Sequence, residues 1–250
     1  MSEKQLVLVT GSSRGIGAET ARLFAHKGYS VCINYRASQQ TAIALQEEII
    51  SLGVDCIAVQ ADVSDEQQVS SLFTQIDQQL GQLSVLVNNA AVLKPQSCFT
   101  QLSAGRINEI FALNVTSAFL CAKQAVKRMS TARGGNGGSI VNVSSLAAKT
   151  GSPNEYIDYA ASKGAIDTMT VGLAKEFSAE GIRVNGVRPG LIYTDMHADG
   201  GEPNRVDRVA SSLPLQRGGH PKEVAEAIYW LASEKSSYTT GSFIDVAGGL

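Results

Sequence analysis

Cysteine is scarce and poorly spaced for cross-linking. Four cysteines in 250 residues stand at positions 32, 56, 98 and 121. No two form a C-x-x-C pair, so a disulfide framework is not expected and a reducing, cytoplasmic compartment fits best. Cys32 and Cys56 lie in apolar runs, where buried free thiols are ordinary. The three histidines, His26, His197 and His220, are far apart and form no H-E-x-x-H, which leaves no expectation of a protein-held metal. No apolar run approaches the roughly 18 residues that a membrane span needs. The opening residues, Met1-Ser2-Glu3-Lys4-Gln5, have neither the apolar stretch nor the cleavage site of a secretory leader. A net charge of -2 gives no support to a nucleic-acid partner, which would call for a basic face.

Hydrophobic residues supply 44% of the chain and charged residues 18%, which excludes a disordered polar chain. A chain of this length buries about three quarters of its unfolded surface and needs no staples. Short apolar runs alternate with longer amphipathic segments. Strands are read at Leu6 to Val9, Ser30 to Tyr35, Val54 to Gln60, Leu83 to Asn88, Ser139 to Ser144, Ile182 to Val187 and Ser242 to Val246. Helices are read at Ile16 to His26, Gln39 to Leu52, Asp65 to Leu80, Ile107 to Met129, Tyr156 to Ala179 and Pro221 to Ser233. Strands that are apolar throughout and separated by helices predict an α/β chain, a doubly wound parallel sheet covered on both faces. No linker or repeat interrupts the pattern, so residues 1–250 are read as one domain. Residues 191–220 lack a strand pattern and are rich in Gly, Pro and polar residues, which marks a functional loop or lid.

After the first strand comes Thr10-Gly11-Ser12-Ser13-Arg14-Gly15-Ile16-Gly17, and then a helix. Gly11 suits the tight turn, Gly15 clears space for a pyrophosphate and Gly17 allows close helix packing. The helix start offers free N–H groups to phosphate oxygens. The bland alternative is a glycine turn, but its place at the first β–α junction predicts a dinucleotide site. A site for NAD carries an acid near the end of the second strand. Here that stretch is Asn34-Tyr35-Arg36. Arg14 and Arg36 instead suit a 2′-phosphate, each charged bond contributing about 1.5–3 kcal/mol. NADP(H) is therefore the favoured cofactor, with NAD(H) the alternative.

Tyr159 and Lys163 lie four apart on a predicted helix, about 6 Å along its axis. A phenol near pKa 10 is a poor base at neutral pH. A neighbouring ammonium favours the phenolate and fits Tyr159 as a general acid or base. A lone Y-x-x-x-K arises cheaply; the glycine loop upstream gives it weight. Tyr156, seven before the lysine, is read as packing or substrate rim. A hydroxyl at the fifth strand end, Ser144 or Ser145, can bond a substrate oxygen and stabilise developing charge.

The glycine run, Asn88-Asn89-Ala90 and Tyr159-x-x-x-Lys163 together resemble the short-chain dehydrogenase/reductase family, from Leu6 to Gly248-Gly249. The resemblance implies a Rossmann-type fold with seven parallel strands and no separate catalytic domain. It implies a homotetramer or homodimer acting on a small alcohol or carbonyl. It places Asp62 and Val63 at the adenine. Asn89, Ala90 and Ala91 fall at the adenosine ribose, with Ala91 where relatives have Gly. It selects Ser145 over Ser144 and gives Lys163 the nicotinamide ribose. Asn114 is implied to disturb its helix and hold a water beside Lys163. Pro189, Gly190, Ile192 and Thr194 are implied to cradle the nicotinamide. Ser13 and Ile16 belong to the phosphate loop. The competing readings are a catalytically idle dinucleotide-binding regulator and, among enzymes, activities like those of glucose 1-dehydrogenases or 3-oxoacyl-[acyl-carrier-protein] reductases. Arg205, Arg208 and Arg217 lie in the lid among Asp195, Asp199, Glu202 and Asp207, so the lid is not clearly basic.

Overall fold

A computed structural model describes residues 5–250; the segment read as lacking a leader peptide lies largely outside them. Its strands are β1 (Leu6–Val9), β2 (Ser30–Tyr35), β3 (Cys56–Gln60), β4 (Val85–Asn88), β5 (Gly138–Val143), β6 (Ile182–Pro189) and β7 (Phe243–Val246). Its helices are α1 (Gly15–His26), α2 (Gln39–Ser51), α3 (Glu66–Gln79), α4 (Ala104–Phe111), α5 (Ser117–Met129), α6 (Ala147–Thr150), α7 (Ile157–Phe177), α8 (Met196–Asp199), α9 (Arg205–Ala210) and α10 (Pro221–Ala232). The seven strands form one sheet in the order β3-β2-β1-β4-β5-β6-β7. Every pairing is parallel, as the apolar runs predict.

Side chains alternate along each strand, so β1 feeds two cores. Leu6 and Leu8 pack with Phe73, Ile76 and Met129 beneath α3, α5 and α7. Val7 and Val9 pack with Phe24, Ile49 and Ile228 beneath α1, α2 and α10. The same alternation separates Cys32 from Cys56: they occupy neighbouring strands but opposite cores, and all four thiols are free. At the second core, Phe24 meets Tyr29 and Tyr229 edge to face, with centroids 5.0 and 5.4 Å apart.

Three segments depart from the reading of the sequence. The helix expected over Ile107 to Met129 begins earlier and is split by a π-helical segment, Ala112–Thr116. Residues 191–220 contain α8, α9 and a bridge between Ile192 and Gly219, which local pattern could not show because these helices span only four and six residues. The turn between α6 and α7 places Ser152 (φ 43) and Asn154 (φ 64) in the left-handed region, which side-chain-bearing residues seldom enter.

Among the described residues, no helix is long and apolar enough to cross a membrane, and no group of three His, Cys, Asp or Glu side chains could hold a metal. Phe24 is 0% exposed. Phe24→Ala is expected to cost about 3–5 kcal/mol, read as a lower midpoint in chemical denaturation.

Candidate active site

The order of winding reverses between β1 and β4, the place where folds of this kind bind ligands beyond the carboxyl ends of the strands. The glycine loop enters it from β1. Gly11 has φ +61, and a Cβ there would lie 2.9 Å from the Ala90 Cα, so the β1 and β4 turns touch. Gly15 has φ +59 and faces the Thr194 methyl, where a Cβ would sit at 3.5 Å. A Cβ on Gly17 would meet the Asn89 Nδ2 at 2.6 Å and the Gly11 carbonyl at 2.8 Å. The loop is thus tight for three separate reasons.

Hydrogen bonds fix it. The Asn89 amide donates to the carbonyls of Thr10 (2.9 Å) and Gly11 (3.1 Å). The Thr10 hydroxyl accepts from the backbone N–H groups of Asn89 and Ala90, each at 3.0 Å. Thr10 was not singled out from sequence; its place between strand and glycine loop was the available signal. Asn34 accepts from the Gly11 N–H at 3.1 Å and donates to the Ala61 carbonyl at 3.1 Å.

Two residues expected at the adenosine are therefore turned inward. Asn34 is 2% exposed and Tyr35 6% exposed. Asn34 acts as a strut between the glycine loop, β2 and β3, and Tyr35 packs in the core. Val63 is also a core side chain. Asp62 does not cap α3. Its Oδ1 accepts from the Ser64 N–H and hydroxyl, whereas Asp65 caps the helix through the N–H groups of Gln67 and Gln68.

Arg14 and Arg36 stay on the rim. Arg14 pairs with Asp199 at 2.6 Å and Asp195 at 3.6 Å. Arg36 lies 3.7 Å from Asp62. Ser13 and Ile16 line the loop, partly exposed.

Tyr159, Lys163 and Ser145 converge across the crevice. The Lys163 Nζ lies 5.6 Å from the Tyr159 ring centroid and donates to the Val143 carbonyl at the end of β5, at 2.8 Å. Burial pushes the Tyr159 phenol up to about 12, opposed by its hydrogen bond with Ser145. The expectation was a phenol favoured as phenolate by Lys163 and by an oxidised nicotinamide; within the chain alone, partial burial of Tyr159 acts in the opposite sense. The same burial lowers Lys163 to about 8, with Asp167 opposing. The two serines divide. Ser144 is 2% exposed and donates to the Lys163 carbonyl, which locks β5 to α7. Ser145 faces Tyr159 and accepts from the Ala147 N–H.

Asn114 sits within the π segment. Its Oδ1 accepts from the Val92 N–H at 2.8 Å. Its amide donates to the Val92 carbonyl (3.1 Å) and to Ser162 (3.2 Å). The widened turn and these bonds agree with a disturbed helix. Tyr156 is buried and donates to the Gly200 carbonyl at 3.2 Å, so it anchors the lid. At the end of β6, ahead of the lid, the Gly190 N–H bonds Val246, a Cβ on Gly190 would press on Ala247 at 2.9 Å, and the Pro189 carbonyl accepts from Leu146. The Ile192 carbonyl is engaged by His197 Nε2 at 2.9 Å, a contact between residues that no local motif links.

Such a strand order, with a glycine loop at its switch point, defines the doubly wound dinucleotide-binding class. A sequence profile described as Enoyl-(Acyl carrier protein) reductase matches residues 11–250. The chain is 57% identical over 244 residues to the uncharacterized oxidoreductase YgfF of Escherichia coli (strain K12), covering 98% of this chain and 99% of that one. It is 35% identical over 250 residues to the 3-oxoacyl-[acyl-carrier-protein] reductase FabG of Staphylococcus aureus (strain N315), covering 100% and 99%. A crystal structure of a short-chain type dehydrogenase/reductase from Mycobacterium marinum superposes with a TM-score of 0.91 at 30% identity, over 98% of this chain and 94% of that one. The chain belongs to the short-chain dehydrogenase/reductase family and is an NAD(P)-dependent oxidoreductase of that family.

Gly17→Ala forces a methyl against the Asn89 amide and two backbone atoms. It is expected to cost about 1–3 kcal/mol and to weaken dinucleotide binding, read by denaturation and by cofactor titration.

Proposed function

We propose that the protein is an NADP(H)-dependent carbonyl reductase and alcohol dehydrogenase in which Tyr159 transfers the proton. The observation that carries this reading is the grouping of half-buried Tyr159 and Ser145 with buried Lys163 after β5 and on α7. The glycine loop, with Gly11, Ser13, Arg14, Gly15, Ile16 and Gly17, fits the pyrophosphate, because its tight backbone leaves the α1 N-terminus open to anions. Arg14 and Arg36, both about half exposed, fit a 2′-phosphate. Asp62, Val63, Asn89, Ala90 and Ala91 border the adenosine side, and Pro189, Gly190, Ile192 and Thr194 the nicotinamide side. The dinucleotide supplies the hydride when bound.

The protein's part is the proton. A phenol raised to about 12 holds its proton at neutral pH, so Tyr159 is poised to donate it to a carbonyl oxygen that is becoming an alkoxide. The Ser145 hydroxyl donates a second hydrogen bond to that oxygen. Lys163, held by Val143, keeps a positive charge beside the phenolate that donation leaves. In the reverse direction Tyr159 accepts the alcohol proton, which requires the phenolate. Asn114 holds the loop after β4 to α7 through Val92 and Ser162, which keeps the lysine's surroundings fixed.

The lid favours a small polar carbonyl over a carrier-bound one. Arg205 pairs with Glu155, Arg208 with Glu202 and Arg217 with Glu223. These three lid cations, which an acidic carrier would seek at the site, are thus paired within the chain. Four free thiols support a reducing, cytoplasmic setting. Exposed Phe119 (50%), Trp230 (39%) and Tyr238 (104%) support association of identical copies as a dimer or tetramer.

A screen of sugars, small ketones and 3-oxoacyl thioesters with NADPH and NADH tests the reading. Tyr159→Phe should lower kcat by about 10²–10⁴ with NADPH affinity nearly unchanged. Cofactor binding without turnover of any substrate would leave a dinucleotide-binding regulator instead.

The pH dependence follows from the lysine. Its pKa is lowered to about 8, so Lys163 is charged below that pH and neutral above it. Carbonyl reduction, measured as kcat/KM, should fall as pH rises through about 8; a flat profile to pH 10, about two units further, would count against the role given to Lys163.

A further inference from the structure

Both arginines that border the proposed 2′-phosphate position already hold carboxylates. Arg36 lies 3.7 Å from Asp62. Arg14 is the more committed: its NH2 donates to Asp199 Oδ2 at 2.6 Å, and its NH1 lies 3.6 Å from Asp195 Oδ2. The two acids belong to the lid, so these pairs join the phosphate loop to a segment 181 and 185 positions further along the chain.

We propose that Asp199, supported by Asp195, sets the preference between phosphorylated and unphosphorylated dinucleotide by competing with the 2′-phosphate for Arg14. The proposal rests on the assignment of Arg14 to that phosphate. One face of a guanidinium fork can engage one anion in the bidentate manner. Asp199 and Asp195 sit against the NH2 and NH1 end of Arg14, so a 2′-phosphate that takes that end must displace Asp199. A dinucleotide that lacks this phosphate leaves the pair intact.

Asp199 cannot simply follow the arginine. It ends α8, and the residues just beyond it are tied elsewhere. The Gly200 carbonyl accepts from Tyr156, and Glu202 accepts from Gln96 at 2.9 Å. At the other end, Thr194 packs against Gly15, 3.5 Å from the position of its missing Cβ. The lid start and the loop are thereby held together, and the carboxylates stay within reach of Arg14. Arg14 and Asp199 are 52% and 48% exposed, so water screens the pair and its strength is modest. It can be broken by a phosphate yet still tax that exchange.

Asp199→Asn removes the competing charge with no change of shape. Titration of the purified full-length protein with NADPH and with NADH, followed by nicotinamide fluorescence, reads the effect. Asp199→Asn should lower the NADPH Kd about threefold and leave the NADH Kd unchanged. Arg14→Ala should raise the NADPH Kd on the order of tenfold or more without weakening NADH. In the Arg14→Ala background, Asp199→Asn should change neither constant. If Arg14→Ala weakens NADPH but Asp199→Asn does nothing, the competition is refuted while the cofactor assignment stands. If Asp199→Asn tightens NADPH equally with and without Arg14, plain repulsion of the phosphate replaces the proposal. If Arg14→Ala changes neither cofactor, the assignment of Arg14 to the phosphate fails and the proposal falls with it.

Discussion

Backbone groups at the ends of parallel strands have no ladder partner, and in a closed crevice they have no water either. This chain meets the constraint with asparagine, whose side chain carries the donor and acceptor of a peptide unit. Asn34 bonds the Gly11 N–H and the Ala61 carbonyl. Asn89 bonds the Thr10 and Gly11 carbonyls. Asn114 bonds both backbone groups of Val92. Asn185 accepts from the Ser242 N–H and donates to the Thr239 carbonyl. In each case a side-chain amide bonds backbone groups of a neighbouring turn.

The same enclosure governs the chemistry. Tyr159 and Lys163 are shifted in opposite senses by one cause, loss of water. Each shift disfavours the charged form. The phenol keeps its proton more firmly and the lysine less firmly. The lysine's contact with Val143 ties its position to the register of β5. The site's electrostatics thus depend on the sheet itself.

The lid shows how polar surface can be organised without a core of its own. Its arginines are each matched to a carboxylate, some within the lid and some on neighbouring elements. Val206 and Leu213, 3% exposed each, pin it to the body. Exposed ion pairs of this kind contribute little individually. Together they hold the segment in place without the strength of a buried core.

The order of strands and helices was legible in the sequence because strands buried on both faces, such as β1, β2 and β4, read as short apolar runs, and such runs alternate with helical segments. The glycine loop and the Tyr159–Lys163 spacing were legible because both are local: a turn and a helical repeat need no distant partner. What the sequence left open was decided by contacts between residues far apart in the chain. Only the fold shows that Ser145 faces Tyr159 while Ser144 is spent on α7. Only the fold shows that Asn34 is a strut, that Asn114 widens a helix to reach Val92, and that Arg14 is held by a lid acid. Local pattern reports which face of an element is buried; which polar atom meets which depends on three-dimensional packing that no window of neighbouring residues contains.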